Sequence, residues 1–311
     1  MNITVILCTN NRCQTLLKAL SSVAASEIPE SVEWEVLVVD NNSSDQTRQV
    51  VQGFCSRYPG RFRYLFEPQP GKSYALNAGI RDARGQILAF MDDDVMVERS
   101  WLQNLTASLH KGEWTGSGGR ILPEPEFSPP PWLPAKGPYA LLPLAVFDLG
   151  VKAGPLLEAP YGTNMAFRRQ AFEKYGGFRT DLGPQPGSEI RGEDTEFGRR
   201  LLAAGERLWY EPSAVVYHPA TERRVRKEYF LKWWRDFGRG SVRQWAPGPS
   251  VLGIPRPYLN ILKLGTVVMA QRAGRWMLTK NPQRRFYYKC WVWEAAGQIR
   301  EYCHLLKTTG S

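Results

Sequence analysis

The sequence predicts an α/β fold with a mainly parallel central sheet flanked by helices, followed by a helical C-terminal segment. Three observations support this prediction. Short apolar runs alternate with helical patterns through the first 120 residues. Polar clusters follow three of these runs directly, and after about residue 220 the chain becomes basic and rich in tryptophan.

The first four strands are predicted from continuous apolar runs, each followed by a helical pattern. The runs lie at 3–7, 36–39, 62–66 and 87–91, and the helical patterns lie at 16–23, 43–54, 73–81 and 98–109. Strands that are apolar on both faces are typical of a parallel sheet covered by helices on both sides. In such sheets ligands bind outside the carboxyl ends of the strands.

The middle of the chain is predicted to combine loops with shorter elements. Seven prolines within residues 123–138 indicate an extended loop, and 183–187 is a second Gly/Pro loop. The predicted strands lie at 162–168, 208–210 and 214–217. Residues 192–204 form a predicted helix with acidic residues in its first turn, where the helix dipole favours them. A soft boundary is placed near residue 220.

Composition points to a chain that works in a reducing compartment. The five cysteines are scattered, odd in number and lack a C-x-x-C pair, so a disulfide framework is not expected. The N-terminus reads as a first strand and lacks the basic region of a signal peptide. Because the sequence has no apolar run of about 18 residues, we expect a cytoplasmic protein, peripheral at most to a membrane.

Three consecutive carboxylates, Asp92, Asp93 and Asp94, end the fourth apolar run. Adjacent like charges repel and are costly to desolvate unless a positive charge lies nearby. A divalent cation such as Mg²⁺ or Mn²⁺ would stabilise them, since these metals take oxygen ligands and keep positions open for substrate phosphates. The alternative is an acidic turn that caps the following helix.

Three other positions could carry chemistry. Gly71-Lys72-Ser73 resembles the end of a P-loop, but Phe66 stands where the first glycine is required, so a P-loop is rejected. Glu193 and Asp194 begin a helix, and Asp194 is a candidate general base, although a first-turn acidic pair also serves the helix dipole. His218, one of three histidines, ends the last predicted strand and is a candidate metal ligand.

Taken in order, these motifs resemble the family 2 glycosyltransferases of the GT-A fold. The resemblance extends over residues 3–219, about two-thirds of the chain. It rests on motifs whose order and spacing are more specific than any one of them: VILCTNNR, VVDNNSSDQT, GKSYALNAG, FMDDDV, GTNMAFRR with GGF, GEDTEFGRRL and YHP. The resemblance implies a catalytic domain over 1–220, with a nucleotide-binding half (1–120) and an acceptor half (121–220) that supplies the base.

The resemblance also implies site residues. Thr9 would contact the nucleobase and Asp40 would read uracil, although Asn41 stands where the family often has a second acid. Lys72 would lie near the base or diphosphate, and Asp194 would be the catalytic base. Asp94 would ligate the metal with Asp92 and His218 as further ligands, while Asp92 and Asp93 would also face the ribose and nearby waters. Further donor-binding candidates in the motifs are Asn11, Arg12, Asn77, Asn164 and Glu193.

The implied reaction is an inverting, metal-assisted transfer of a sugar from a nucleotide-diphosphate sugar, UDP-linked by preference, to a carbohydrate or lipid-linked hydroxyl. Cell-surface polysaccharide or glycolipid synthesis is the expected setting. Two other classes stay open, namely a nucleotidyltransferase and a non-catalytic sugar-nucleotide-binding, membrane-associated protein. The first would need a glycine-rich loop after the first strand, where residues 9–14 contain no glycine.

Residues 221–311 form the basic, aromatic-rich helical segment. From residue 222 onward there are 18 Lys/Arg against 5 Asp/Glu, and six of the eleven tryptophans. Aromatic residues between 225 and 237 recur on one helical face flanked by cations, which predicts either an interfacial helix on an anionic membrane through 222–245 or a helix packed on the catalytic domain. Residues 258–270 are predicted to be a core helix or a re-entrant surface segment. Nucleic acid is not an expected partner.

Overall fold

The computed structural model describes residues 2–133, 141–245 and 254–309, and these form two compact units. Unit 1 contains Met1–Pro125, Ala145–Thr180 and Glu193–Pro219. Unit 2 contains Glu126–Leu144, Asp181–Gly192 and Ala220–Ser311. In the predicted proline loop the described part, 124–133, contains neither helix nor strand, while residues 134–138 lie outside the described residues.

Unit 1 is built on a nine-stranded sheet with helices between its strands. The strands are β1 Ile3–Thr9, β2 Trp34–Asp40, β3 Phe62–Phe66, β4 Ile87–Asp92, β5 Met96–Val97, β6 Gly116–Pro123, β7 Gly154–Leu156, β8 Met165–Arg168 and β9 Leu208–His218. The helices are α1 Cys13–Ala24, α2 Thr47–Arg57, α3 Lys72–Asp82, α4 Trp101–Ala107, α5 Arg169–Tyr175 and α6 Glu193–Ala203.

The strand order is β3-β2-β1-β4-β8-β6-β9-β5, with β7 paired to β9. The first four strands in this order are parallel, and β2 is buried along its whole length. β8 then runs antiparallel to β4, so the second half of the sheet is mixed. The predicted α/β fold class is confirmed, with the parallel character concentrated in the first half.

Strand register brings the predicted polar residues to one edge. Thr9 is the direct partner of Asp40, and Cys8 is the direct partner of Asp92. In a parallel sheet the carboxyl ends of neighbouring strands lie at the same edge. The polar residues that follow β1, β2 and β4 therefore meet there because of the strand pairing.

An aromatic cluster fixes the start of α6 against the sheet. Phe167, Phe172 and Phe178 contact Phe90 on the sheet, and Phe197 contacts the same three rings, stacking on Phe172 with ring centroids 4.5 Å apart. Phe197 is fully buried one turn after the helix begins. The acidic first turn of α6 is consequently anchored by apolar packing.

β6 was not predicted, and its glycines explain both its position and the failure to detect it. A Cβ at Gly116 would lie 2.3 Å from the Phe167 ring, and one at Gly119 would lie 2.2 Å from the carbonyl oxygen of Ala214. Only glycine permits such close approach, yet glycine weakens the strand signal of a sequence. The strands predicted at 208–210 and 214–217 are similarly one strand, β9, with a register shift opposite Gly119/Arg120.

Unit 2 is largely helical. Its long helices are α7 Lys227–Gln244, α8 Arg256–Lys263, α9 Met269–Leu278 and α10 Pro282–Thr309, with a π turn at Leu264–Val268 between α8 and α9. Gly297 of α10 lies so close to α7 that an added Cβ would be 2.0 Å from the Arg235 carbonyl oxygen. Buried Glu301 of α10 accepts hydrogen bonds from Arg239 and Arg243 of α7.

The aromatic face of α7 is used for packing within unit 2. Phe230 and Trp234 are buried, Phe230 lies 5.1 Å from Trp132 between ring centroids, and Trp234 lies 6.1 Å from Tyr287 of α10. Of the two alternatives for 222–245, packing is observed: Phe230 contacts Trp132, which lies within the predicted catalytic domain 1–220, and Trp234 contacts α10. The expectation that 258–270 could be a core helix is wrong, since none of these described residues is buried. Among the described residues, no helix combines the length and apolarity needed to cross a membrane.

Candidate active site

Asp92, at the end of β4, is held by one cation and one hydroxyl. Lys72 Nζ, in the first turn of α3, donates to Oδ1 at 2.7 Å, and Thr163 Oγ1 donates to Oδ2 at 2.7 Å. Burial opposes ionisation, but Lys72 and the two hydrogen bonds outweigh it and lower the pKa of Asp92. The carboxylate is therefore ionised and fixed in orientation.

Lys72 links two acidic elements. Its Nζ also lies 3.6 Å from Oε1 of Glu193, the buried first residue of α6. Burial would lower the pKa of Lys72, yet the nearby Asp92, Glu193 and Asp194 raise it. Burial raises the pKa of Glu193, with Lys72 acting in the opposite direction. Lys72 thus carries a permanent positive charge between the end of β4 and the start of α6.

Arg12 performs a comparable role for the other two aspartates. Its Nη1 donates to Asp93 Oδ1 at 2.9 Å and to Asp94 Oδ2 at 3.2 Å, although half of the Arg12 side chain is exposed. Burial raises the pKa of Asp93 to about 6, with Arg12 opposing that shift and Asp94 adding to it. The repulsion predicted for the three aspartates is relieved in part by these two cations from α3 and the loop before α1.

Asp94 and His218 form the pair of side chains best suited to a metal. His218 is buried at the end of β9, and its Nε2 lies 3.8 Å from Asp94 Oδ1. A carboxylate oxygen and an imidazole nitrogen are donors that Mn²⁺ accepts. Among the described residues there is no group of three or more His, Cys, Asp or Glu side chains that could hold a metal. Two protein ligands still fit an ion whose other positions are taken by substrate phosphates and water.

Asp194 is the second residue of α6, and its orientation is set by backbone. Its Oδ2 accepts a hydrogen bond of 2.6 Å from the amide of Gly162. A Cβ at Gly162 would lie 3.1 Å from that same oxygen, so glycine permits this close approach. Asp194 lies in the same unit as Lys72 and Asp92, and its charge acts on Lys72.

Asp40 and Asn41 follow β2 and are both buried. Asp40 accepts hydrogen bonds from Tyr64 Oη at 2.8 Å and from the Ser43 amide at 2.9 Å, which fixes both carboxylate oxygens. Asn41 binds the loop before α3. Its Nδ2 donates to the carbonyls of Glu67 and Gln69, and its Oδ1 accepts from the Gly71 amide. An acid at position 41 could not donate to those carbonyls, so asparagine here shapes the loop that carries Lys72.

Thr9 and Asn11 lie at the end of β1, on the same edge. Thr9 is buried, and its Oγ1 makes no hydrogen bond of ordinary geometry among the described residues, although it lies near enough to Asp93 to favour the ionised form of that carboxyl and lower its pKa against the effect of burial. Asn11 adopts a left-handed conformation with φ of 52° and accepts a hydrogen bond from the Ser44 amide at 2.8 Å. A buried hydroxyl of this kind is a candidate contact for a bound molecule.

The structure does not bring Asn77 or Asn164 into this cluster. Asn77 pairs with the backbone of Phe178 through two hydrogen bonds of 2.8 Å. Asn164 is fully buried and connects Trp101 Nε1 with the carbonyls of Arg120 and Ala214. Both amides tie elements of unit 1 together, and their predicted contact with the donor stays a prediction.

Thr163 and Gly162 are the site residues that the sequence did not reveal. The motif at 162–169 drew attention to Asn164, the more polar residue, whereas the preceding threonine contacts Asp92 and the glycine contacts Asp194. Residues 162–164 lie in a turn before β8, in which the Asn164 amide donates to the Tyr161 carbonyl at 2.9 Å, and within this turn Thr163 faces Asp92. The signal available in the sequence was the pair of small residues, Gly162 and Thr163, just before the predicted strand core.

An open cleft of about 320 Å³ adjoins the aspartates. The N-terminus of α1 contributes most of its lining, and the amide of Cys13 there donates to Asp45 Oδ2 at 3.0 Å. The lining residues are Asn11, Arg12, Cys13, Gln14, Thr15, Asp45 and Asp94. The cleft therefore joins the loop after β1 to the end of the aspartate run.

The sheet order and the flanking helices define an α/β fold of the GT-A type, and solved structures share this fold. A mannosyltransferase from Pyrobaculum calidifontis, in complex with GDP-Man and Mn²⁺, superposes with a TM-score of 0.65 at 19% identity, covering 96% of this chain and 86% of that chain. The S. aureus TarS fragment 1–349, in complex with UDP-GlcNAc, gives a TM-score of 0.54 at 15% identity, with 97% and 89% covered.

The chain belongs to glycosyl transferase family 2, whose family model matches residues 4–176. The succinoglycan biosynthesis protein ExoM of Rhizobium meliloti is 29% identical over 78% of this chain and 74% of its own length. Glycosyltransferase AglE of Haloferax volcanii is 27% identical over the same shares. The protein is therefore a glycosyltransferase enzyme, which excludes the nucleotidyltransferase and non-catalytic alternatives.

Proposed function

We propose that this glycosyltransferase inverts the anomeric carbon of a nucleotide-diphosphate sugar and passes the sugar to a carbohydrate or lipid-linked hydroxyl in polysaccharide or glycolipid synthesis. The supporting observation is the arrangement in unit 1, where Lys72 pairs with Asp92 at the end of β4 and with Glu193 at the start of α6, and the adjacent Asp194 acts on Lys72 through its charge. Two acidic elements with one shared cation suit separate tasks, donor binding and proton removal.

Asp194 is the proposed general base. Its Oδ2 accepts from the Gly162 amide and its Oδ1 accepts from the Thr195 amide at 2.7 Å, which together hold the carboxylate in one orientation. Each carboxylate oxygen has a second lone pair, so one of them would still accept the proton of an acceptor hydroxyl. Removal of that proton lets the oxygen attack the anomeric carbon as the bond to the diphosphate breaks. One displacement of this kind inverts the carbon and requires no second carboxylate nucleophile.

Asp94 and His218 would hold the Mn²⁺ or Mg²⁺ ion, and this assignment narrows the set expected from the sequence. Asp92 has both oxygens engaged by Lys72 and Thr163, so we assign it to orienting Lys72 near the donor. A bound divalent cation supplies neutralisation of the negative charge on the departing diphosphate. Lys72 and Arg12 contribute fixed positive charge at the same edge of the sheet.

The nucleobase would lie near Thr9 and Asp40, with uracil as the preferred base. The buried Oγ1 of Thr9 offers a hydrogen-bonding group there. The similar structures carry different donors, GDP-Man in one and UDP-GlcNAc in the other, so both nucleotides belong in the test. The division at residue 220, with a donor half and an acceptor half before it, stays a prediction.

A donor panel tests this function. The purified protein is incubated with UDP-, GDP- and dTDP-linked sugars, with Mn²⁺, Mg²⁺ or a chelator, and release of nucleoside diphosphate is measured. We expect release from one UDP-sugar that needs the metal and rises on addition of an acceptor. Equal release of nucleoside diphosphate with the metal and with the chelator would contradict the metal assignment. Release from GDP- or dTDP-linked sugars alone would contradict the preference for UDP.

A further inference from the structure

One helical run in unit 2 leaves a broad apolar face exposed. α8, the π turn and α9 follow each other from Arg256 to Leu278, and no residue of this described run is buried. Five large apolar side chains on it are more than half exposed: Tyr258 54%, Leu262 63%, Val267 53%, Met277 65% and Leu278 83%. Contiguous exposed apolar side chains of this kind mark interaction surfaces.

The opposite side of the run is fixed to α10, which determines the direction of the exposed face. Asn260 Nδ2 donates to Tyr302 Oη at 2.9 Å, and Arg272 Nη1 donates to the Trp291 carbonyl at 2.6 Å. Trp276 lies edge-on to Trp293 with ring centroids 6.3 Å apart. The run is thus packed along one side only, and its apolar side chains point away from α10.

The spacing of the apolar residues fits this geometry. Tyr258 and Leu262 are four residues apart, which is one α-helical turn. Leu262 lies in α8 and Val267 in the π turn Leu264–Val268, whose hydrogen bonds join residues five apart and so bring positions 262 and 267 close to one another. The π turn therefore keeps the apolar residues of α8 and of the following turn on one face.

Charge identifies the partner of this face. Residues 254–280 contain five basic residues and no acidic residue. Arg272 is paired with Glu294 of α10 at 3.1 Å, whereas Arg256, Lys263 and Arg275 are exposed beside the apolar face. Apolar and aromatic side chains bordered by exposed cations are the pattern of a helix that lies in the surface of an anionic bilayer.

We propose that the helical run 256–278 docks this protein onto anionic lipid, lying in the membrane surface without crossing it. The run is about 35 Å long at 1.5 Å per residue, but its four charged residues keep it from spanning. This places the membrane contact on a different surface from α7, whose apolar side chains pack inside unit 2. The proposal does not depend on the assigned donor, metal or base.

A second copy of the chain is the competing occupant, and charge disfavours it. A symmetric dimer brings the same patch of each copy together. The exposed cations of one copy would then lie close to those of the other and repel. Anionic headgroups attract the same cations, so lipid satisfies both the apolar and the charged part of this surface.

Vesicle flotation tests the proposal with the full chain. We expect binding to vesicles of phosphatidylcholine mixed with phosphatidylglycerol, and much weaker binding to phosphatidylcholine alone. Leu262→Glu combined with Met277→Glu should lower partitioning onto the vesicles by about tenfold or more. Each substitution replaces an apolar side chain of the exposed face with a charged one. Lys263→Gln with Arg275→Gln should weaken binding to the anionic vesicles only and make it less sensitive to salt.

The matched control is Val151→Glu combined with Leu157→Glu. These side chains in unit 1 are 83% and 93% exposed but lie outside the proposed surface, so vesicle binding should be unchanged. Far-ultraviolet circular dichroism verifies that each variant is folded. Failure of the folded wild type to bind anionic vesicles would overturn the proposal. Full binding by the Leu262/Met277 variant would also overturn it, as would self-association that this variant abolishes without any vesicle binding.

Discussion

At the scale of single residues, the three aspartates after β4 differ in role because they differ in partners. Asp92 is held by Lys72 and Thr163, Asp93 is buried against Arg12, and Asp94 approaches His218. The family resemblance already separated Asp94, as the metal ligand, from Asp92 and Asp93, but it did not show which side chains hold each carboxylate. Those partners come from α3, the turn before β8, the loop before α1 and the end of β9, which only the folded chain brings together.

Thr163→Val provides a test of the Asp92 arrangement. Valine keeps the shape but removes the hydroxyl that donates to Asp92 Oδ2. A hydrogen bond to a charged group contributes about 1.5–3 kcal/mol, so kcat/KM should fall by about tenfold or more. Steady-state kinetics with the best donor measures this, and calorimetry reports donor affinity.

Thr163→Ser is the matched control, because it keeps the hydroxyl and should stay close to wild type. Thermal unfolding separates a local effect from a general loss of stability. If the valine and serine variants show the same kcat/KM, Thr163 does not act through its hydroxyl and the assignment is wrong.

At the scale of elements, Glu206 joins the end of α6 to two other elements. It accepts hydrogen bonds from Thr115, at the start of β6, and from Tyr175 and Lys174, at the end of α5. These hydrogen bonds, led by Thr115 and Tyr175, lower the pKa of Glu206 to about 2 from an ordinary value of 4.5. The ionised carboxylate is therefore preferred by the folded state.

This shift predicts a pH dependence for Glu206→Gln. The folded pKa is depressed, so the stabilisation is complete above pH 4.5 and is lost as the pH falls towards 2. The variant should melt below wild type at pH 6, and the difference should shrink between pH 4.5 and 3. Thermal unfolding across that range measures it. A difference that is constant or grows on acidification would contradict the assignment.

The contact between α7 and α10 depends on glycine. Alanine at 297 would place a Cβ 2.0 Å from the Arg235 carbonyl oxygen, which forces the helices apart. Overpacking costs about 1–3 kcal/mol, and the gain in helix propensity of about 1 kcal/mol offsets only part of it. Gly297→Ala should therefore lower the free energy of unfolding, measured in urea by circular dichroism.

Gly274→Ala is the matched control within α9. Nothing lies within 4 Å of its added Cβ, so the gain in helix propensity should appear alone. Equal effects of the two substitutions would mean that α7 and α10 do not approach at Gly297 as the structure has them.

Element prediction succeeded where apolar periodicity decided the structure and failed where close packing decided it. β1 to β4 were found because their core residues form continuous runs. β6 was missed because Gly116, Gly118 and Gly119, required by close neighbours, remove the strand signal. The aromatic stripe of α7 correctly predicted an amphipathic helix, but a periodicity does not identify its partner, which is α10.

At the scale of the whole molecule, the charge is distributed unevenly. The net charge is +10, and the excess of basic residues lies after residue 222. The sequence was sufficient to predict a basic aromatic segment and a possible lipid partner. The sequence could not show which helix keeps its apolar side chains exposed. Those of α7 are buried within unit 2, whereas the run 256–278 packs on α10 with the opposite side and leaves its apolar side chains exposed.

The family and the positions of Lys72, Asp92 and Asp194 were predictable because the motifs retain their order. The supporting contacts through Gly162 and Thr163 were not, since they depend on backbone geometry. The proposed site has two functions, with donor binding at the strand ends and proton removal at the start of α6.

Asp194→Asn measures that division most directly. Asparagine keeps an oxygen for the Gly162 amide but cannot accept the proton of the acceptor. General-base catalysis contributes about 10²–10⁴-fold, so kcat should fall by at least about a hundredfold while calorimetry finds donor affinity close to that of wild type. Near-normal turnover by the folded variant would contradict the account.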